Sequence, residues 1–332
     1  MAIADPLNVD TASSCTPVDL EAPGGSMAGI PVGDQGKMGI CYAYSETDLA
    51  NAYLKSHNPG KAKNVTISPI FTAVEYETKK RKDDKTTSPE TFLNTGGASG
   101  SILKYLKDNP ACNASQMKSL SGDIREKLES VCKMKSSAPA QLKNEMATCV
   151  IKEEFAGSKL DLPLKKIEEA LKCSSPDLCF EDAMQALDQA CKASDRKPIP
   201  IPDPTVVHVS SDDSFSRSVN DAFDPKRKPI QPFTIGYAAS LLKNGKNYVG
   251  LDRKAKDGSR AFKDNDGHES VVDGRRFNPK TGKCELRIKN SWGPSCNYDY
   301  SQDWECENGK IWVDQDTLAK NTDSVTYLKG DR

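Results

Sequence analysis

Gln35-Gly36-Lys37-Met38-Gly39-Ile40-Cys41-Tyr42-Ala43-Tyr44-Ser45 places a cysteine directly after a glycine-rich turn and at the head of a helical pattern. That pattern runs from Cys41 to Lys55 and stops at Asn58-Pro59-Gly60, residues that end helices. A thiol in the first turn of a helix sits at the positive end of the dipole, which favours the thiolate. The glycines before it allow a tight approach, and the helix-start N–H groups point outward. Gln35, six residues upstream, can offer its amide as a hydrogen-bond donor at the same place.

Outward from this stretch, Ser68-Pro69 opens a second helix through Lys80, because Pro fits a first turn and the Ser oxygen caps it. Gly96-Gly97 precede a short helix, Ser99 to Lys107, that stops at Asn109-Pro110. From Cys112 to about Ser194 apolar residues recur at helical spacing: Ile124, Leu128 and Val131; Leu142, Met146 and Cys149; Leu164, Ile167 and Leu171; Phe180, Met184, Leu187 and Cys191. A bundle of about four helices is expected there. Its six cysteines can close bridges among themselves in any of 15 pairings. Asp195 to Pro204 is a stiff, proline-rich exit. Short strands follow at Phe233–Leu242, Glu269–Phe277, Glu285–Asn290, Lys310–Val313 and Ser324–Leu328, separated by turn residues. The pattern is α+β. Residues 1–110 form an arm and a helical lobe, 111–204 an inserted Cys-rich helical subdomain with its exit, and 205–332 a β-rich lobe.

Composition excludes several classes. The 332 residues are 36% hydrophobic and 28% charged, with a net charge of −1, so the basic excess of a nucleic-acid binder is missing. No run approaches the ~18 apolar residues of a membrane span. Eleven cysteines include no Cys-x-x-Cys pair and accompany only three histidines, so no metal or cofactor is expected. Five disulfides and one free thiol are the simplest arithmetic, and they imply an oxidising compartment. Met1–Asp10 lack the basic-then-apolar pattern of an export signal; the expectation is a secreted or periplasmic chain whose signal has been removed.

Two further neighbourhoods carry chemistry: Gly267-His268-Glu269-Ser270-Val271-Val272, a histidine at the head of an apolar strand, and Ile288-Lys289-Asn290-Ser291-Trp292-Gly293, an asparagine leaving another. His208, on an alternating strand, and His57, at a helix end, read as structural. Taken with the opening stretch, these motifs resemble the papain family of cysteine peptidases. Gln-Gly followed by Gly-x-Cys-aromatic-Ala-aromatic-Ser is similar to the family's nucleophile helix. Asn-Ser-Trp-Gly is similar to its third catalytic member, Glu307–Val313 to its closing strand, and Thr95-Gly96-Gly97 to the glycine pair that lines an extended substrate. The resemblance covers about residues 17–110 and 205–328 and leaves the insertion outside.

The resemblance implies a two-lobed fold, with a helical left lobe and a β-barrel-like right lobe, and acyl transfer through a Cys41 thioester. Cys41 would attack the peptide carbonyl and His268 would act as acid and base. Asn290 would orient the imidazole, and Gln35 with the Cys41 N–H would hold the oxyanion. Trp292 would cover the His–Asn contact. Gly96 and Gly97 would bind substrate, and Glu269 would make a subsite acidic. The implied partner is a protein or peptide substrate, acted on by a monomer. Several positions depart from the pattern. Met38 and Asn94 stand where the family usually has a bridged pair of cysteines, Ile40 and Glu269 replace small residues, and Gly267 replaces a frequent Asp. The Cys41–His268 separation of 227 residues exceeds the family's ~130–150, an excess that the insertion supplies. A catalytically weak binding protein on the same fold, or a Cys-His-Asn amidase or acyltransferase, would share these residues.

Overall fold

The computed structural model describes residues 15–57, 66–83, 92–94, 96–112, 176–189, 191, 196–252, 260–263, 266–297 and 300–329, with scattered residues between 124 and 169. Strand β1 (Val18–Asp19) leads to helices α1 (Cys41–His57), α2 (Pro69–Asp83) and α3 (Ser101–Asp108). Helix α1 has 12 of its 17 residues buried, so it is enclosed by the fold instead of lying on its surface. Tyr42 and Leu49 are among its fully buried anchors. Each such side chain contributes about 1.5–3 kcal/mol on leaving water. Helix α3 starts after Gly100 in the left-handed region and lacks a local side-chain cap. Its N-terminus is capped from α1: Glu46 accepts the Gly100 and Leu103 N–H groups at 2.7 and 2.8 Å.

Strand β2 (Ala111–Cys112) enters the insertion, helix α4 (Pro176–Asp188) lies in it, and strand β3 (Arg196–Lys197) leaves it, paired with β2. The Cys112–Cys191 disulfide closes the same neck. Ile124, Phe180, Met184 and Leu187 join the core as their spacing implies. Met146 and Cys149 are helical but exposed, because periodicity defines a face without defining what covers it. Leu128, Val131, Leu142, Leu164, Ile167 and Leu171, and with them most of the expected bundle, lie outside the described residues.

The C-terminal half contains β4 (Pro204–His208), α5 (Asp212–Ala222), β5 (Phe233–Ala238), α6 (Leu241–Asn244), β6 (Leu251–Asp252), β7 (Ala261–Phe262), β8 (Gly267–Asn278), β9 (Lys283–Lys289), β10 (Glu305–Glu307), β11 (Lys310–Asp314), α7 (Gln315–Asn321) and β12 (Thr322–Leu328). Eight strands make one antiparallel sheet in the order β10-β11-β9-β8-β5-β12-β4, with β1 also on β8. The molecule is thus α+β, but among the described residues the sheet is open and no barrel closes. One end strand starts at Pro204, which lacks an N–H for further pairing, and the other has only three residues. The strand expected over Phe233–Leu242 ends at Ala238, where the chain turns into α6. Helix α5 interrupts the expected run of strands, with Ser211 and Ser214 forming a reciprocal cap.

Three disulfides are present among the described residues: Cys15–Cys284, Cys112–Cys191 and Cys296–Cys306. Cys41 and Cys149 are both free thiols, against the expectation of one. Cys132, Cys173 and the Cys179 side chain lie outside the described residues. No described helix is long and apolar enough to cross a membrane.

Candidate active site

The loop before α1 is stitched to the loop after β9. Gln35 N–H donates to the Ser291 carbonyl at 2.8 Å, Gly293 N–H to Gly33 at 2.9 Å, and Asp34 bridges to Trp292. This pairing joins the Cys41 and Asn290 neighbourhoods, which are far apart in sequence. Gly39 donates its N–H to Leu93 at 2.8 Å, and a Cβ there would lie 2.8 Å from the Asn94 backbone. Only glycine allows that approach. The contact also places the segments of Met38 and Asn94 side by side. A Cβ on Gly97 would meet the Tyr42 ring at 2.5 Å, so Gly97 packs on the residue following Cys41. Gly96 has φ +68°, the left-handed region that favours glycine; Thr95 lies outside the described residues.

Cys41 begins α1 and is 9% exposed. Burial pushes its thiol above the ordinary value. The backbone N–H groups of Glu269, Tyr42 and Cys41 itself oppose that by favouring the thiolate, while the Glu46 carboxyl adds to it. The sulfur therefore faces the start of β8, at the residue after His268. His268 is buried, and its Nε2 lies 2.8 Å from Asn290 Oδ1. Ser291 N–H donates to the same oxygen at 2.8 Å, and Asn290 Nδ2 donates to the Tyr300 hydroxyl at 3.2 Å. These contacts assign the amide its orientation, so His268 Nε2 carries the proton and Nδ1 is the basic nitrogen of the neutral ring. Burial pushes the imidazole down to about 4, against the Asn290 hydrogen bond and the Asp266 charge. Both groups are thus held neutral at neutral pH, against the helix-start preference for a thiolate at Cys41, because burial removes the water that would stabilise either charge.

Gln35 is buried; its Nε2 donates to the Met38 carbonyl at 2.7 Å and its Oε1 accepts from Ser291 Oγ at 2.6 Å. A primary amide has a second N–H, which remains for a developing oxyanion. Trp292 lies 5.1 Å from the His268 ring and stacks on Tyr300 at 6.0 Å. Glu269, expected to line an acidic subsite, is 3% exposed. Burial raises its carboxyl to about 8, with Cys41 as the next cause, so it presents no anion at neutral pH.

Two residues escape the sequence reading. Tyr300 lies in the loop closed by Cys296–Cys306, ten residues past Asn290, with no motif to mark it. Glu46 has the helical spacing of any α1 residue, and nothing local marks it as buried beside Cys41. Among the described residues no group of three or more His, Cys, Asp or Glu could hold a metal ion. No family model matches this chain, and no curated protein matches it.

Proposed function

We propose that this chain is a papain-like cysteine peptidase of two lobes, acting on protein or peptide substrates. One observation carries the reading: the Cys41 sulfur faces the N–H of Glu269, directly after His268, whose Nε2 meets Asn290 Oδ1 at 2.8 Å. In this reading His268 Nδ1 takes the thiol proton as Cys41 attacks the scissile carbonyl, and a thioester forms as the leaving amine receives that proton. His268 then activates water to hydrolyse the thioester. Asn290 keeps the imidazole aligned, and Gln35 with the Cys41 N–H stabilises the oxyanion. Gly96 and Gly97 offer backbone to an extended substrate. Trp292 shields the His–Asn contact. Three disulfides accord with a secreted or periplasmic site of action, and the chain acts as a monomer.

The test is a peptide-library digest with labelling by a thiol-directed epoxide. Cys41→Ala abolishes both and leaves the unfolding transition in place. Hydrolysis retained in that variant overturns the assignment. The neutral thiol and imidazole favour a second reading, a catalytically weak binding protein on this fold. Thiol titration separates the two: a reactive Cys41 at neutral pH belongs to the enzyme, and an inert one to the binding protein.

A further inference from the structure

We propose that Glu269 is a protonated carboxylic acid held beside the Cys41 sulfur in a pair with Glu46, and that loss of its proton sets a second negative charge against the nucleophile. The inference rests on the reading of Cys41 as that nucleophile. Proton counting along a chain of side chains carries it. Ser324 Oγ donates to Asp323 Oδ1 at 2.7 Å. A hydroxyl has one proton, so the 2.9 Å contact between Ser99 and Ser324 uses the proton of Ser99. With the 3.2 Å contact between Ser99 Oγ and Glu269 Oε2 at its other end, the chain is one proton short unless one of its two terminal carboxyls, Glu269 or Asp323, is protonated. Gly236, opposite Glu269 in β5, makes the chain possible, since a Cβ there would lie 2.4 Å from Ser324 Oγ.

The surroundings divide the pair the same way. Glu46 accepts two backbone N–H groups at the N-terminus of α3, which favours its anion. Glu269 is buried, its Oε1 has no partner, and no ion pair reaches either glutamate among the described residues. Cys41 and Glu46 face Glu269 from α1, and Asp323 from β12. Tyr237 of β5 lies near Cys41, and His268 precedes Glu269 on its own strand. Lys289 of β9, the cation on the neighbouring strand, is engaged by Asp48 of α1. Arg260 and His208 face Asp323 and favour its anion, whereas no cation pairs with either glutamate among the described residues, so one proton on Glu269 is the simplest relief of the repulsion.

The experiment reads the carboxyl directly. Infrared spectra of the wild-type protein against pH show a protonated-carboxyl band at neutral pH that disappears near pH 8. Glu269→Gln removes that band. Ser99→Ala, which breaks the chain, shifts its loss to lower pH and serves if the glutamine variant does not fold. Alkylation of Cys41 by iodoacetamide is followed in parallel. Wild-type and Glu269→Gln rates coincide at mildly acid pH and diverge in alkali, where the variant reacts about 10-fold faster. A neutral-pH band absent from wild type, a band unchanged in both variants, or superimposable alkylation profiles would each overturn the proposal. A band that behaves as described while Cys41 resists alkylation at every pH upholds the protonated pair and sinks the peptidase reading instead.

Discussion

Glu75 and Asp188, between α2 and the insertion, share the cation Arg196, whereas Glu46 and Glu269, beside Cys41, share none. Arg196 Nη2 reaches both Asp188 carboxyl oxygens, at 3.0 and 3.1 Å, while its Nη1 pairs with Glu75, which also accepts from the Tyr105 hydroxyl at 3.3 Å. That cluster is satisfied, and it pins the insertion to the helical layer. The second cluster has no cation and leaves one buried carboxyl oxygen bare. A structure built only for stability would replace such a pair with apolar packing. Uncompensated buried acids gather instead where pKa values must be shifted, and here they surround a thiol.

Breaking the first cluster gives the largest effect. Arg196→Met strands two carboxylates and lowers stability by about 3–5 kcal/mol in urea unfolding, while the alkylation rate of Cys41 stays unchanged. Next comes the imidazole's partner. Asn290→Ala leaves His268 Nε2 without its acceptor and costs about 10²–10³-fold in peptide turnover, with little change in thermal midpoint. The second cluster also yields a signed pH dependence. The folded protein keeps the Glu269 proton up to about 8, against 4.5 for an ordinary glutamate, so between those values the folded state binds more protons than the unfolded one. Stability from this group is therefore full at acid pH and lost as pH rises through that window. Glu269→Gln flattens this part of the thermal-midpoint profile. The smallest effect is expected at Tyr300. Tyr300→Phe deletes one hydrogen bond to Asn290 and lowers turnover about 2–10-fold through kcat, leaving KM in place.

Much of this was legible along the chain. Cys41 opens a helix because glycines and a helical pattern meet there, and Pro69 starts another for the same kind of local reason. His268 and Asn290 lie at the start of one strand and just past the end of its neighbour, where the turn residues put them. Helix α5 was equally legible in principle, since Ser211 precedes Phe215, Val219 and Ala222 at helical spacing, but the strand signals around it dominate that half. The open edges of the sheet were not legible, because closure depends on how far each strand tilts and pairs. Nor was the exposure of Met146 and Cys149, whose spacing is that of a core face.

The sequence alone determined the local facts: which residues start helices and strands, which glycines permit a turn, and which side chains carry reactive groups. Those follow from backbone preferences and periodicity within a few neighbours. Only the tertiary structure decided that Glu46 caps α3, that Gly236 admits a hydroxyl chain, and that two glutamates from different elements crowd one sulfur. Desolvation and charge proximity depend on every element packed around a group, and no stretch of sequence contains that sum.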